Sequence, residues 1–312
     1  MIVFQPIEVT DAVLTSSNIT EDDHAVWDIG TAYVVGDYVI STASHTVYRA
    51  LTAHTGEDPD AEQVALNDPL IADPSPINWQ VISATNRWKA FDQKPSDQTT
   101  NANSITFSLT PGELVTGIGF FNVDADTIQV TMTDPGDGVV YDNTINMIDT
   151  TVVIDWFTYF FEPFAVLDEA VLIDLPPYSM ATIDVTVTKT GGTAAVGEIA
   201  FGNNRELGYV ELRNSGFSGL DFSYVQNDEF GNLDTVVRQA TRLAEYDVVV
   251  PTLRLLSVDS ILRDLRGGQP AVWIGDTDSR KAALAYGFHK SYRAIYSEGD
   301  ETLLNIQVQG LV

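Results

Sequence analysis

Cysteine is absent from all 312 residues. That excludes disulfides, thiolate metal sites and cysteine nucleophiles together, so stability outside a cell has to come from packing and assembly. Basic residues are scarce: 16 lysines and arginines stand against 44 acidic residues, a formal net charge of −28. Such a surface repels phosphate backbones, and no basic stripe with interleaved aromatics offsets it, so no nucleic-acid partner is expected. The acidic surplus runs along the whole chain and suits salty surroundings, marine or halophilic, where screening relieves self-repulsion. Long apolar runs are missing as well. None approaches the ~18 residues that span a bilayer, and no membrane insertion is expected. The opening Met1-Ile-Val-Phe-Gln-Pro lacks a basic n-region, so the sequence predicts no secretory signal and a product that stays or assembles in the cytosol.

Catalytic patterns are equally sparse. The four histidines, His24, His45, His54 and His289, form neither a His-x-x-x-His nor a His-Glu-x-x-His pattern. His45 and His54 bracket Tyr48 and are candidates to meet across a hairpin. No Gly-x-Ser-x-Gly elbow, Walker loop or dinucleotide fingerprint occurs, and Gly117-x-Gly119 reads as a strand feature. Carboxylates are so abundant that a glycosidase-like pair is always available by choice; Asp124 with Asp126, or Asp276 with Asp278, stand in ordinary turn contexts. The Asp-rich loop from Asn227 to Asp234 offers oxygens to Ca²⁺, but without EF-hand spacing it reads as a solvated turn. No enzyme activity, cofactor or metal is expected.

What is present is a chain long enough for two or three domains, 44% hydrophobic and rich in strand patterns. Residues 1–24 carry Ile2-Val3-Phe4 and Ile7-Glu8-Val9, broken by Pro6, then a polar linker; the segment is too short to fold alone and is expected to pair with the domain that resumes after Trp79. Residues 84–208 alternate with period two at Ile105-Thr-Phe-Ser-Leu and Ile128-Gln-Val-Thr-Met-Thr. Further strands are expected at Val115–Val123, Val139–Tyr141, Val152–Ile154, Trp156–Phe161, Val171–Ile173, Ile183–Thr188 and Ile199–Gly202, with Pro135-Gly-Asp-Gly138 as a turn. Short strands at this spacing predict a two-sheet sandwich. In 209–312, the stretch Val236–Val250 fits either a helical stripe or, preferred here, extended strands. Ser257 to Arg266 predicts one helix, capped by Ser257 and ended by Gly267-Gly268. Strands follow at Ala271–Ile274, Tyr286–Tyr296 and Leu303–Val308. The predicted fold class is therefore mainly β: a small β module at 25–83 inserted between the N-terminal strand segment and a central β-sandwich, and a C-terminal β-rich domain with one short helix.

The 25–83 module holds Trp27-Asp28, Tyr33, Gly36-Asp37, Val39, Tyr48-Arg49-Ala50, Gly56, Pro59 and Trp79. Gly36-Asp37 is expected to turn a hairpin between Tyr33, Val39 and Tyr48. A module this small exists to bury or to present a few large rings. Two readings stand side by side: Trp27, Tyr33, Tyr48 and Trp79 form a structural mini-core, or some of them form an exposed stacking surface. The pattern resembles the small chitin- and cellulose-binding modules appended to chitinases and found in tailed-phage tail proteins. That resemblance implies carbohydrate binding by Trp27, Tyr48, Arg49 and Trp79, with Trp27 and Tyr48 as the exposed pair.

Asn86-Arg-Trp88, Phe91-Asp92, Ser104-Ile-Thr-Phe, Gly119-Phe-Phe-Asn-Val and Gly197-Glu-Ile-Ala-Phe-Gly202 are similar to a galactose-binding-type jelly roll. The arrangement from the opening strand through Trp88 resembles carbohydrate-binding tail proteins of phages and prophages. The organisation of 209–312 resembles the assembly domains of phage distal-tail proteins. The resemblance implies a virion structural protein of a tail tip, baseplate or fibre-attachment apparatus, assembled in the host cytoplasm. Its partners would be other tail proteins, copies of itself and a host-surface glycan. A dedicated carbohydrate-binding protein and a glycan-degrading enzyme with an accessory module are the alternatives.

Overall fold

The computed structural model describes residues 1–311 except 69–76, 150–153, 162–164, 212, 228, 276–282 and 297–298. The chain is mainly β, built from antiparallel sheets with few short helices.

Two long strands, Thr99–Leu109 and Thr182–Gly202, organise the central sandwich. The first half of Thr182–Gly202 alternates buried and half-buried residues between Thr127–Asp134 and Thr99–Leu109. Its register then breaks between Thr188 and Thr193, where Gly191 takes a φ of 74° and donates its amide to Asn103 Oδ1. A left-handed residue at this corner suits glycine. Beyond the corner the strand pairs with Gly117–Asp124, and every residue from Thr193's neighbour Ala194 to Gly202 is buried. The change from alternation to a continuous apolar run has a plain cause: sandwich core covers one face and the C-terminal sheet covers the other. Gly202 permits this closeness, and Gly197 permits a tight contact with the sandwich's own loop at Pro95. A Cβ on Gly197 would lie 2.0 Å from the Pro95 carbonyl oxygen, and one on Gly202 would lie 2.3 Å from that of Gln5.

The C-terminal sheet runs Arg205–Glu206, Ile2–Phe4, Ala271–Ile274, Leu284–Tyr296, Glu301–Gly310, Ala240–Pro251 and Tyr209–Val210, with Gly216–Asp221 also on Ala240–Pro251. The N-terminal segment, expected to pair as a whole with the central domain, is divided. Leu14–Ser17 joins Thr99–Leu109 of the sandwich, whereas Ile2–Phe4 is hydrogen-bonded inside the C-terminal sheet. Phe4 then packs with Phe121, Ala200, Val272, Ile274, Leu284 and Tyr286 in a core that joins the two sheets.

Local departures from expectation each have a cause. The C-terminal helix is Leu255–Asp264, entered through a 3₁₀ turn at Thr252–Arg254, so Ser257 lies inside it and caps nothing. Val258 and Leu262 seat it on the sheet, and Gly267 and Gly268 follow with φ near 80°. The expected strand at Trp156–Phe161 is a short helix, because six residues without alternation offer no sheet face. Val152 and Val153 lie outside the described residues. The 25–83 module, expected to be β, also contains a helix, Pro59–Asn67, started by Asp58, whose carboxylate accepts the amides of Asp60 and Ala61, with Pro59 at the first helical position.

Candidate functional site

The small module is a three-stranded sheet, Tyr38–Ser41, Thr46–Ala50 and Trp79–Ala84, beside the short pair Ala32–Tyr33 and His54–Thr55. Gly36-Asp37 therefore does not close a hairpin. It carries the chain between two separate sheets, with Gly36 at φ 98° and the Asp37 carboxylate accepting the Val34 amide. Trp79 returns to the sheet beside Ala50.

Burial removes Tyr48 from the expected exposed pair and leaves Trp27 half-buried. Tyr48 is 2% and Trp79 1% exposed, and with Tyr33, Val39 and Ala50 they form the module core, against which Trp27 packs. Trp79 meets Tyr33 edge-on at 5.1 Å and His54 at 4.6 Å, and donates its indole N–H to the Glu57 carbonyl. The Tyr48 hydroxyl donates to Asp60 Oδ1 at 2.8 Å. Burial pushes the Asp60 carboxyl up, but hydroxyl hydrogen bonds from Ser41, Ser44 and Tyr48 outweigh it and hold the group below the usual range. Glu62, two residues on, accepts the amides of Asn78 and Trp79. The helix thus serves as the clamp that closes the module over its rings. A sheet this small has no other way to gain a core, so its largest side chains go inside. Of the four residues assigned to sugar binding, Arg49 alone is exposed. It lies opposite Tyr38 on the neighbouring strand, its guanidinium 5.9 Å from that ring. His24 stacks on Tyr38 at 5.1 Å, so the exposed ring of this face is already flanked by two partners. Sequence alternation around Val39 marks Tyr38 as outward, and that signal was available.

His45 and His54 do not meet. His54 belongs to the module core, whereas His45 leaves it and stacks on Trp88 of the sandwich, ring centroids 3.9 Å apart. Its Nδ1 lies 3.1 Å from Glu21 and its Nε2 3.3 Å from Asp11. Asn86 fixes the same junction by exchanging two hydrogen bonds with Thr100. Between module and sandwich lies an open cleft of about 450 Å³, lined among others by Ser44, His45, Ser83, Trp88, Phe91 and Asp92.

Behind this cleft two carboxylates come together. Glu198, the lone charged residue of the buried Ala194–Gly202 run, is 2% exposed. It accepts the Gln93 amide at 2.9 Å and the Tyr286 hydroxyl at 3.2 Å, so it joins the sandwich to the C-terminal sheet. Burial first, and then the charge of Asp92, push Glu198 up to about 8. Burial also raises Asp92 to about 6, against the Lys94 amide and the Lys89 and Lys94 charges. Tyr286 stacks on Phe121 at 4.9 Å, and burial raises its hydroxyl far above the ordinary phenol value. The pair holds a proton at neutral pH, with Glu198 buried within the seam.

Other candidates resolve into ordinary roles. Asp124 accepts the Lys189 ammonium, and Asp126 accepts the Thr190 amide at the sandwich corner. Asp276, Asp278 and Asp228 lie outside the described residues. Among the described residues no group of three or more His, Asp or Glu side chains is placed to hold a metal ion.

A separate exposed element is apolar and unexpected. Tyr224–Asn227 pairs with Leu233–Val236 as a two-stranded ribbon, and all eight of these residues are exposed. Phe230 at its turn is 88% exposed and Val237 at its base 81%. Only Asn227–Asp234 of this stretch reads as a solvated turn in the sequence, because Asp and Asn are interleaved with the apolar residues. Compared with protein-family models and with curated proteins, the chain finds no match.

Proposed function

We propose that this chain is a structural subunit of a tailed-phage tail tip, baseplate or fibre-attachment apparatus, which acts by assembling with copies of itself and with other tail proteins. The reading places it in the virion, put together in the host cytoplasm, with no reaction of its own. The observation that carries the assembly part is the Tyr224–Val236 ribbon. A hairpin with both faces bare is marginal in water, and unpaired strand edges are ready to take another chain. Tyr224, Val225, Phe230, Leu233 and Val236 are all exposed large apolar residues on this one projection. Neighbouring subunits in a particle supply the cover that the isolated chain does not. The tail assignment rests on the resemblance of the module, the jelly-roll motifs and the C-terminal organisation.

Light scattering of purified protein in high salt tests it. The chain is expected to form a closed ring or trimer, since a repeated contact between identical subunits closes by symmetry. Replacing Phe230 and Leu233 by serine should reduce it to monomers. A wild-type monomer at high concentration would sink the proposal.

A second reading, attachment to host glycan, is favoured by one observation: the cleft between module and sandwich combines a half-buried ring, hydroxyls and a carboxylate at Phe91, Ser44, Ser83 and Asp92. This moves the sugar contact away from Tyr48 and Trp79, which are core. Glycan binding that survives Arg49→Ala but is lost on Phe91→Ala would support it; no binding by assembled particles would dismiss it.

A further inference from the structure

A hairpin formed by Ile148–Asp149 and Ala165–Val166 leads to the helix Trp156–Phe161, and nothing described on this tip is buried. Ile154, Trp156, Phe157, Tyr159, Phe160 and Phe161 are each between 50% and 82% exposed. The rings touch one another: Trp156 stacks on Phe160 at 6.1 Å, Phe157 lies 5.1 Å from Phe161, and Tyr159 meets Phe160 edge-on at 5.0 Å. At about 100° per residue these five rings sweep roughly 200° of the helix circumference. An amphipathic helix that lies in a protein groove presents a stripe of roughly 100°. A knob apolar over twice that arc fits a medium that surrounds it better than a groove that touches one side.

Charge narrows the medium. Between Lys94 and Lys189 the sequence contains no lysine or arginine, and Asp149 and Asp155 flank the tip. An anionic lipid surface, attracted by basic residues, is therefore repelled. A zwitterionic surface is matched: Trp and Tyr rings settle at the headgroup level, and ring faces attract quaternary ammonium groups. We propose that the Ile154–Phe161 tip docks on a zwitterionic, choline-type lipid surface, rings in the interface and Asp155 towards the ammonium layer. The contact is peripheral, since among the described residues no helix is long and apolar enough to cross a membrane. It is independent of the ribbon that carries the assembly reading.

Flotation of the whole chain with vesicles tests it, beside light scattering on the same samples. Wild type is expected to float with phosphatidylcholine vesicles, and about tenfold less when half the lipid is phosphatidylglycerol. The Trp156→Ser/Phe160→Ser double variant should float at least about tenfold less, at unchanged particle mass. Brominated phosphatidylcholine should quench part of the wild-type emission, and the fold-preserving Trp156→Phe variant should lose that part. No flotation of wild type, equal flotation of the double variant, or quenching unchanged by Trp156→Phe would overturn the proposal. If the vesicles are ignored and the double variant instead lowers the particle mass, the tip is a contact between copies and the lipid assignment is wrong.

Discussion

Replacing Glu198 by glutamine should make the protein more stable, and only at one end of the pH scale. Glu198 is the one fully buried charged residue among those described. Burial raises it from 4.5 to about 8. In the unfolded chain the same carboxyl ionises at its ordinary value. Between these two values the folded state keeps a proton that the unfolded state has released, so stability falls as pH rises through this window. Below about 4.5 the group costs nothing, and above about 8 the cost is complete. At 1.36 kcal/mol per pH unit the total is on the order of 4–5 kcal/mol. Glutamine cannot ionise, yet it keeps an acceptor for the Gln93 amide and an amide group for the Tyr286 hydroxyl. Urea unfolding of dilute protein at pH 5 and pH 8.5, at fixed high salt, reads the difference. The variant should match wild type within about 1 kcal/mol at pH 5 and exceed it by several kcal/mol at pH 8.5. Asp92→Asn should narrow the window from above, because Asp92 supplies the second cause of the Glu198 shift. An equal gap at both pH values would show that Glu198 does not hold its proton in the folded seam, and the reasoning would fail.

Trp79→Ala should unfold the small module at a cost of roughly 3–5 kcal/mol, because it empties the centre of a five-residue core; limited proteolysis should then cut within 25–83 while the rest resists. Arg49→Ala, which touches no core, should leave the same digest unchanged. Gly197→Ala should destabilise the sandwich by at least roughly 1–3 kcal/mol, since its Cβ would lie 2.0 Å from the Pro95 carbonyl; a variant that melts with wild type would refute the close approach. The melting temperature should rise with NaCl, as screening relieves the repulsion of a −28 chain. A flat response would mean that the acids are locally paired.

Much of the fold was legible because period-two alternation is a local signal. Ile105, Phe107 and Leu109 alternate and are buried, as the pattern requires of a strand with one face in a core. The same logic fails where a strand is covered twice. Ala194 to Gly202 reads as apolar without period, and only the neighbouring sheet explains why. Glu198 stands in that run as its one visible anomaly. The division of residues 1–17 between two sheets had no local signal either, since Ile2–Phe4 and Leu14–Ser17 find partners 200 and 90 residues away. For the module, both readings of the rings were open in sequence. The deciding residues, Asp60 and Glu62, belong to a helix hidden within an Asp-, Ala- and Pro-rich stretch. The exposed tip at Trp156–Phe161 was visible as an aromatic run but read as a strand, because exposure is a tertiary property that composition does not carry.

The central claim is that the Tyr224–Val236 ribbon is covered by another subunit. Amide hydrogen exchange measured at rising protein concentration tests it most directly. The account predicts fast exchange across Tyr224–Asn227 and Leu233–Val236 in dilute protein, where a bare hairpin opens freely. Protection by at least about a hundredfold should appear as particles form, equivalent to roughly 2.7 kcal/mol of added stability. Exchange at the ribbon that stays fast in assembled particles, or protection already complete in the monomer, would contradict it.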